Sequence, residues 1–279
     1  MPWTPANPDH AIDRAHIKFE FETLPAKAHH RASEIIRSAA ESLGMTDIVS
    51  IQTPQVRILA TPDGGTQFVP EQPSNAAKSF RKLSENGSVE YAAICASDHL
   101  AFDVRIYDSW AEIFLRLKTC LQEAIRFVHE DVSSVQGVRF EYWDRFVRKE
   151  ADGSDFLSGN SLLIPPLFAG ADGSWHSHVG FFKNSGNKRM LLNANVDIMS
   201  ISDFVNNDGG PLIPPSVESL CRIYTLCLVT AHPSPYFGEA DECIAAADLA
   251  HDELKAMLGN IINSQLASEI KLSAENFVR

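Results

Sequence analysis

His176-Ser177-His178 places two imidazoles two residues apart. On a strand, positions i and i+2 share a face, so both rings reach toward one metal ion or one substrate. A zinc site takes at least three protein ligands. The third would come from Asp197, on the strand expected to pair with this one, or from Asp172 just before it. A metal-assisted hydrolase centred on His176 and His178 is the chemistry this spacing allows. Two histidines on an exposed strand face near a loop more commonly serve as polar surface. His29-His30, the pair His10 and His16, and His251-Asp252-Glu253 read the same way, as surface decoration and as the solvated side of a helix.

The second constellation is Arg139, Glu141, Trp143 and Arg145. Alternate positions put the four on one face of a strand, either as an ion-pair ladder covered by Trp143 or as a surface that recognises a partner. Arg and Trp are the residue types enriched in binding hot spots, with cation–π contacts to match. Elsewhere, catalytic signatures are missing. No Gly-x-Ser-x-Gly elbow is present, nor a phosphate-binding Gly-x-x-x-x-Gly-Lys-Ser/Thr loop, nor a Gly-x-Gly-x-x-Gly turn. Asp63-Gly64-Gly65 and Asp208-Gly209-Gly210 are turn chemistry. Carboxylates are plentiful without a spacing that points to acid–base work. Cys95, Cys120, Cys221, Cys227 and Cys243 form an odd set without a Cys-x-x-Cys pair, each flanked by apolar residues, and read as buried thiols. No cofactor is expected.

The elements that must position these groups follow from periodicity. His16 to Phe21 alternates as a half-buried strand, with Ile17, Phe19 and Phe21 on one side. Pro25 opens a helix from Ala26 to Leu43, and Gly44 supplies the stop. Val56 to Ala60 and Thr66 to Val69 flank an Asp-Gly turn and read as a hairpin. Residues 70–87 read as a polar loop with some helical content. A second hairpin, Val89 to Cys95 and Leu100 to Ile106, runs into Ser109-Trp110-Ala111-Glu112, a capping box. The helix it starts carries Ile113, Phe114, Leu117, Leu121, Ile125 and Val128 on one stripe. Ser134 to Phe146 is a long strand. A third hairpin, Trp175 to Phe182 and Arg189 to Ile198, turns at Asn184 to Asn187. Leu220 to Ala231 is apolar enough for a central strand, and one helix from Ile244 to Ile270 closes the chain.

These elements predict an α+β fold: antiparallel sheet built from hairpins, with long amphipathic helices packed on one face. Both halves run hairpin strands into one long helix, which suggests a pseudo-duplicated plan. The expected organisation is a loosely attached lead-in over 1–14, an α+β half over 15–147, a connection over 148–173 and a second half over 174–279, packed with the first.

This layout, with an arginine- and aromatic-rich strand after the central helix, resembles a sporadically distributed, largely uncharacterised family of bacterial proteins. Members place an Arg-Tyr-x-Asn-like strand there; here the stretch is Val138-Arg139-Phe140-Glu141-Tyr142-Trp143-Asp144, with Glu141 or Asp144 where the asparagine would stand. The resemblance implies a bacterial protein of defence-associated or mobile genes, and carries over no catalytic residue.

Charge narrows the partners. The 279 residues carry 24 Lys and Arg against 36 Asp and Glu, a net charge of −12. An acidic surface repels phosphate backbones, which disfavours nucleic acid. No apolar run approaches the roughly 18 residues that a membrane span needs, and no signal-peptide pattern opens the chain. The expectation is a cytoplasmic, non-enzymatic protein that binds a protein or peptide through the Arg139–Arg145 face, in a defence or toxin-neutralising setting, with self-association open. The alternatives are the metal-assisted hydrolase and a binder of a small apolar ligand beneath the helices.

Overall fold

The computed structural model describes residues 3–7, 10–51, 55–60, 66–71, 77–149, 156–158, 161, 163–168, 173–201 and 216–272. Its strands are β1 (Thr4–Pro5), β2 (Ile12–Glu20), β3 (Asp47–Ile51), β4 (Gln55–Ala60), β5 (Thr66–Glu71), β6 (Ala77–Leu83), β7 (Val89–Cys95), β8 (His99–Val104), β9 (Gly137–Arg148), β10 (Trp175–Ser185), β11 (Lys188–Ser200) and β12 (Ser219–Ala231). The α-helices are α1 (Ala26–Ser42), α2 (Trp110–Asp131), α3 (Ala240–Ile261) and α4 (Ser264–Glu269).

Ten strands form one antiparallel sheet in the order β10-β11-β12-β9-β2-β8-β7-β6-β3, with β1 added against β9. β4 and β5 form a separate hairpin, and the Asp-Gly turn expected between them lies outside the described residues. The duplication is visible in this order. In each half a first strand (β2 or β9) is rejoined by the last strand of a three-strand meander (β6-β7-β8 or β10-β11-β12), and a long helix follows (α2 or α3). The two first strands pair with each other, from Glu20 opposite Gly137 to Ala15 opposite Tyr142, and so join the halves into one sheet. The sheet is therefore continuous across the expected connection.

The helices lie on one side of it. α2 packs between α1 and α3, α1 reaches β6 and β7, and α3 reaches β9 and β12. The stripe Ile113, Leu117, Leu121, Ile125 and Val128 is fully buried against Ile17, Phe19, Phe102, Val138 and Phe140. At about 0.8 kcal/mol per buried methylene, this layer outweighs any surface ion pair. Half of the capping box is present: Ser109 Oγ accepts from the Glu112 amide at 3.3 Å. Gly44 ends α1 with φ +74°, a conformation that favours glycine, and the β10–β11 turn uses Gly186 at φ +57°.

Four expectations differ. Residues 70–87 contain β6 rather than a loop; its two large apolar side chains, Phe80 and the exposed Leu83, do not alternate and make no sequence pattern, but pairing with β3 and β7 fixes it and buries Phe80. β3 itself was not anticipated. The closing helix is two, because Ile262 turns extended to bridge Leu157, and Asn263 Oδ1 then caps α4 by accepting from the Leu266 amide at 2.9 Å. The lead-in is built into the fold: Trp3 is buried against Phe156, which in turn packs on Phe146, and Thr4–Pro5 pairs with β9.

Candidate binding face and the cleft behind it

The side of the sheet away from the helices gathers both sets of residues singled out by spacing. Cross-strand register aligns His176 with Asp197, Asp197 with Arg222 and Arg222 with Arg145. The next row runs His178, Asn195, Tyr224, Trp143 and Arg14. β9 has a neighbouring strand on each side, so Arg139 to Arg145 present a face and not an edge.

Each of the four β9 residues is held. Arg139 Nε donates to Glu20 at 3.1 Å, and Glu141 accepts from the Tyr224 hydroxyl at 2.6 Å. Trp143 packs on Tyr224 with ring centres 5.1 Å apart, and the Arg14 guanidinium lies 4.7 Å over its ring. Arg145 is only 4% exposed and pairs with Asp13 at 2.7 Å. Asp103 gathers Arg14 at 2.6 Å, Arg105 at 3.0 Å and His16 at 3.2 Å. Burial alone would raise the Asp103 carboxyl, yet the His16 hydrogen bond and the two arginines hold it down at about 2.

Of these groups Asp13, Arg14, Asp103, Arg105, Trp143, Arg145 and Tyr224 line a basin of about 1160 Å³ over β2, β6 to β9, β11 and β12, whereas Arg139 and Glu141 lie outside it. Its charged lining is Arg14, Arg81, Arg105, Arg145 and Arg222 against Asp13, Asp103, Asp144 and Asp197. In a chain of net charge −12 that local balance is an inversion.

His176 and His178 extend this face toward the outer strand β10, and both are exposed. His176 Nδ1 lies 2.6 Å from Asp197 Oδ1, the partner expected from strand pairing. Asp172 lies outside the described residues. Among the described residues no group of three or more His, Cys, Asp or Glu stands where it could hold a metal ion.

A bulge in β2 shapes the centre. Ile12 faces Asp144 and Arg14 faces Trp143, leaving Asp13 as the extra residue between them. Asp144 points from β9 to the helix side and is 4% exposed, with Oδ1 accepting no hydrogen bond. Burial, then the neighbouring charge of Asp13, pushes its carboxyl up to about 8. Burial likewise raises Asp13, against the pull of Arg145, to about 6.

Asp144 also lines a cleft of about 510 Å³ on the helix side. Tyr107, Trp110, Tyr142 and His251 give this cleft aromatic walls, and Lys255 and Lys271 also line it. A hydrogen-bonded chain runs from the Tyr107 hydroxyl to that of Tyr142 at 3.3 Å and on to His251 Nδ1 at 2.8 Å. His251 stacks on Trp110 with centres 4.3 Å apart, and Trp110 Nε1 donates to Asp248 at 2.6 Å. Burial, with Lys255 nearby, lowers His251 to about 3 and keeps the ring neutral.

This cleft escaped the sequence reading. His251 was expected on a solvated face and is instead buried; its place three, seven and ten residues before Leu254, Leu258 and Ile261 on the apolar stripe was the available signal. His29, expected as surface decoration, is also buried, with Nε2 3.2 Å from the Cys95 carbonyl. Nothing in the spacing of Asp13 and Asp144 could have joined them, since strand pairing across more than a hundred residues does so. All five cysteines are buried free thiols, and burial pushes those of Cys95, Cys120, Cys227 and Cys243 up to about 12. No helix among the described residues is long and apolar enough to cross a membrane. Compared with models of protein families and with curated proteins, the chain matches none.

Proposed function

We propose that this chain is a non-enzymatic binding protein whose partner is a polypeptide segment carrying carboxylates and an aromatic or apolar anchor, laid across the open face of the sheet. The observation that carries this reading is the basin itself: a broad face without a helix over it among the described residues, with five arginines around Trp143 and Tyr224 in an acidic protein. Arginine pairs with carboxylates through two parallel hydrogen bonds, and Trp and Tyr supply large contact area at low entropic cost. The existing ion pairs pre-order the guanidinium groups, so a partner's carboxylates meet arginines already fixed in place.

The experiment is selection from a random peptide library on the immobilised protein, followed by calorimetry of the enriched peptides. The expected result is enrichment of acidic sequences with an aromatic or large apolar residue. Affinity should fall about tenfold or more in Trp143→Ala and in Arg14→Ala, a loss of at least about 1.4 kcal/mol each. Enriched peptides that bind both variants as tightly as the parent protein would remove this face from consideration.

A further inference from the structure

We infer that the cleft on the helix side is a second binding site, which shares Asp144 with the lining of the open face, for a small amphoteric molecule of the amino-acid class. Its ammonium group would meet Asp144 as that carboxyl releases its proton to solvent, its side chain the aromatic walls, and its carboxylate Lys255 and Lys271. Four observations converge on that chemistry. Asp144 is a buried carboxyl on the cleft wall with one oxygen unpartnered, an arrangement that costs free energy unless a donor arrives. The aromatic walls of Tyr107, Trp110 and Tyr142 favour a cation or a planar group beside them. The other lining carboxylate, Asp108, is already committed to Arg116 at 2.7 Å and to the Tyr91 hydroxyl at 2.9 Å, which leaves Asp144 as the acidic group with an open valence. The lysines supply the opposite charge, one half-buried on α3 and one exposed beyond α4.

The volume, about 510 Å³, lies within the ordinary range for small-molecule sites. A dry apolar ligand, the alternative expected beneath the helices, would leave Asp144 and two lysines unmatched here. His251 and Tyr142 hold the wall rigid through their hydrogen bond and need not touch the ligand.

The test uses the full chain and the proteinogenic amino acids as probes, by ligand-observed NMR and then calorimetry. At least one should bind with a dissociation constant below about 10 mM. Its decarboxylated amine and its deaminated acid should each bind about tenfold or more weaker. Asp144→Asn should remove the advantage over the deaminated acid, and Lys255→Met should reduce the advantage over the amine. Trp143→Ala, on the opposite face, should change nothing, so failure here is distinguishable from failure of the peptide-binding reading. Absence of binding by every probe, equal binding of the one-ended analogues, or full affinity in Asp144→Asn would overturn the proposal.

Discussion

Asp144 stands across the β2–β9 junction from the bulge residue Asp13, and the charge of one helps to keep the proton on the other. The pair sits where the two halves of the sheet meet, with Asp13 paired to Arg145 on the open face and Asp144 lining the cleft on the helix face. The two carboxyls titrate as a coupled pair, with opposite structural duties.

Asp144→Asn should stabilise the protein at alkaline pH. A carboxyl raised from its ordinary value to about 8 holds its proton longer in the folded state than in the unfolded one. Its contribution is therefore intact below about pH 4 and is lost progressively as pH rises toward 8. At one pKa unit per 1.36 kcal/mol, the loss is on the order of a few kcal/mol. Urea unfolding at pH 5 and pH 9 should show the variant gaining more on the parent at the higher pH. Parallel pH profiles would contradict the buried, unpartnered state of Asp144.

Asp13→Ala should act in the opposite direction. It removes the carboxylate from Arg145, which is 4% exposed, and breaking a buried pair by deleting one partner costs about 3 kcal/mol. Chemical denaturation near pH 7, where Asp13 is mainly ionised, would read this loss. A change below about 0.5 kcal/mol, the range of surface substitutions, would mean the pair is not buried as described.

Two truncations separate the buried layer under the helices from the outer side of α2. Phe140→Ala opens a cavity beneath α2 and α3 and should cost about 3–5 kcal/mol. Leu115→Ala, on the outer side of α2 at 59% exposure, should stay within about 0.5 kcal/mol. Similar losses for the two would invert the assignment of the helix stripe.

Ser109→Ala should cost about 1 kcal/mol through loss of the cap on the Glu112 amide. Ser109→Gly should recover most of that, because glycine tolerates the N-cap well. Thermal unfolding of the two variants distinguishes capping from a packing role.

His176→Ala with His178→Ala tests the metal chemistry that their spacing allows. Both are exposed on β10, and His176 is bonded to Asp197. The binder reading expects unchanged stability and no stoichiometric zinc or manganese in either protein by elemental analysis. Stoichiometric metal in the parent, lost in the double variant, would replace it with a metal-assisted reaction.

Local periodicity made most elements legible in the chain. Alternation placed β2, β8 and the face of β9 that carries Arg139, Glu141, Trp143 and Arg145, turn signals placed the hairpins of β7 and of β10–β11, an apolar run placed β12, and the 3.6-residue stripe with its Ser109 cap placed α2. β6 and β3 were not legible: β6 buries only Ser79 and Phe80 and β3 fully buries none of its side chains, so both owe their state to their neighbours. The α3–α4 break was hidden for a related reason: Ile262 and Leu266 continue the apolar pattern while a long-range bridge to Leu157 turns the backbone aside.

What the chain determined by itself was the set of faces: which residues of each strand or helix turn inward, and hence an α+β layer structure with a duplicated plan. What tertiary structure alone decided was which faces meet. Pairing β2 with β9 put Asp13 beside Asp144, and packing α3 over β9 brought His251 to Tyr142. Periodicity is a property of neighbours along the chain, repeated every two or 3.6 residues. Pairing between elements depends instead on burial and hydrogen bonding summed over the whole sheet, and only the folded chain performs that sum.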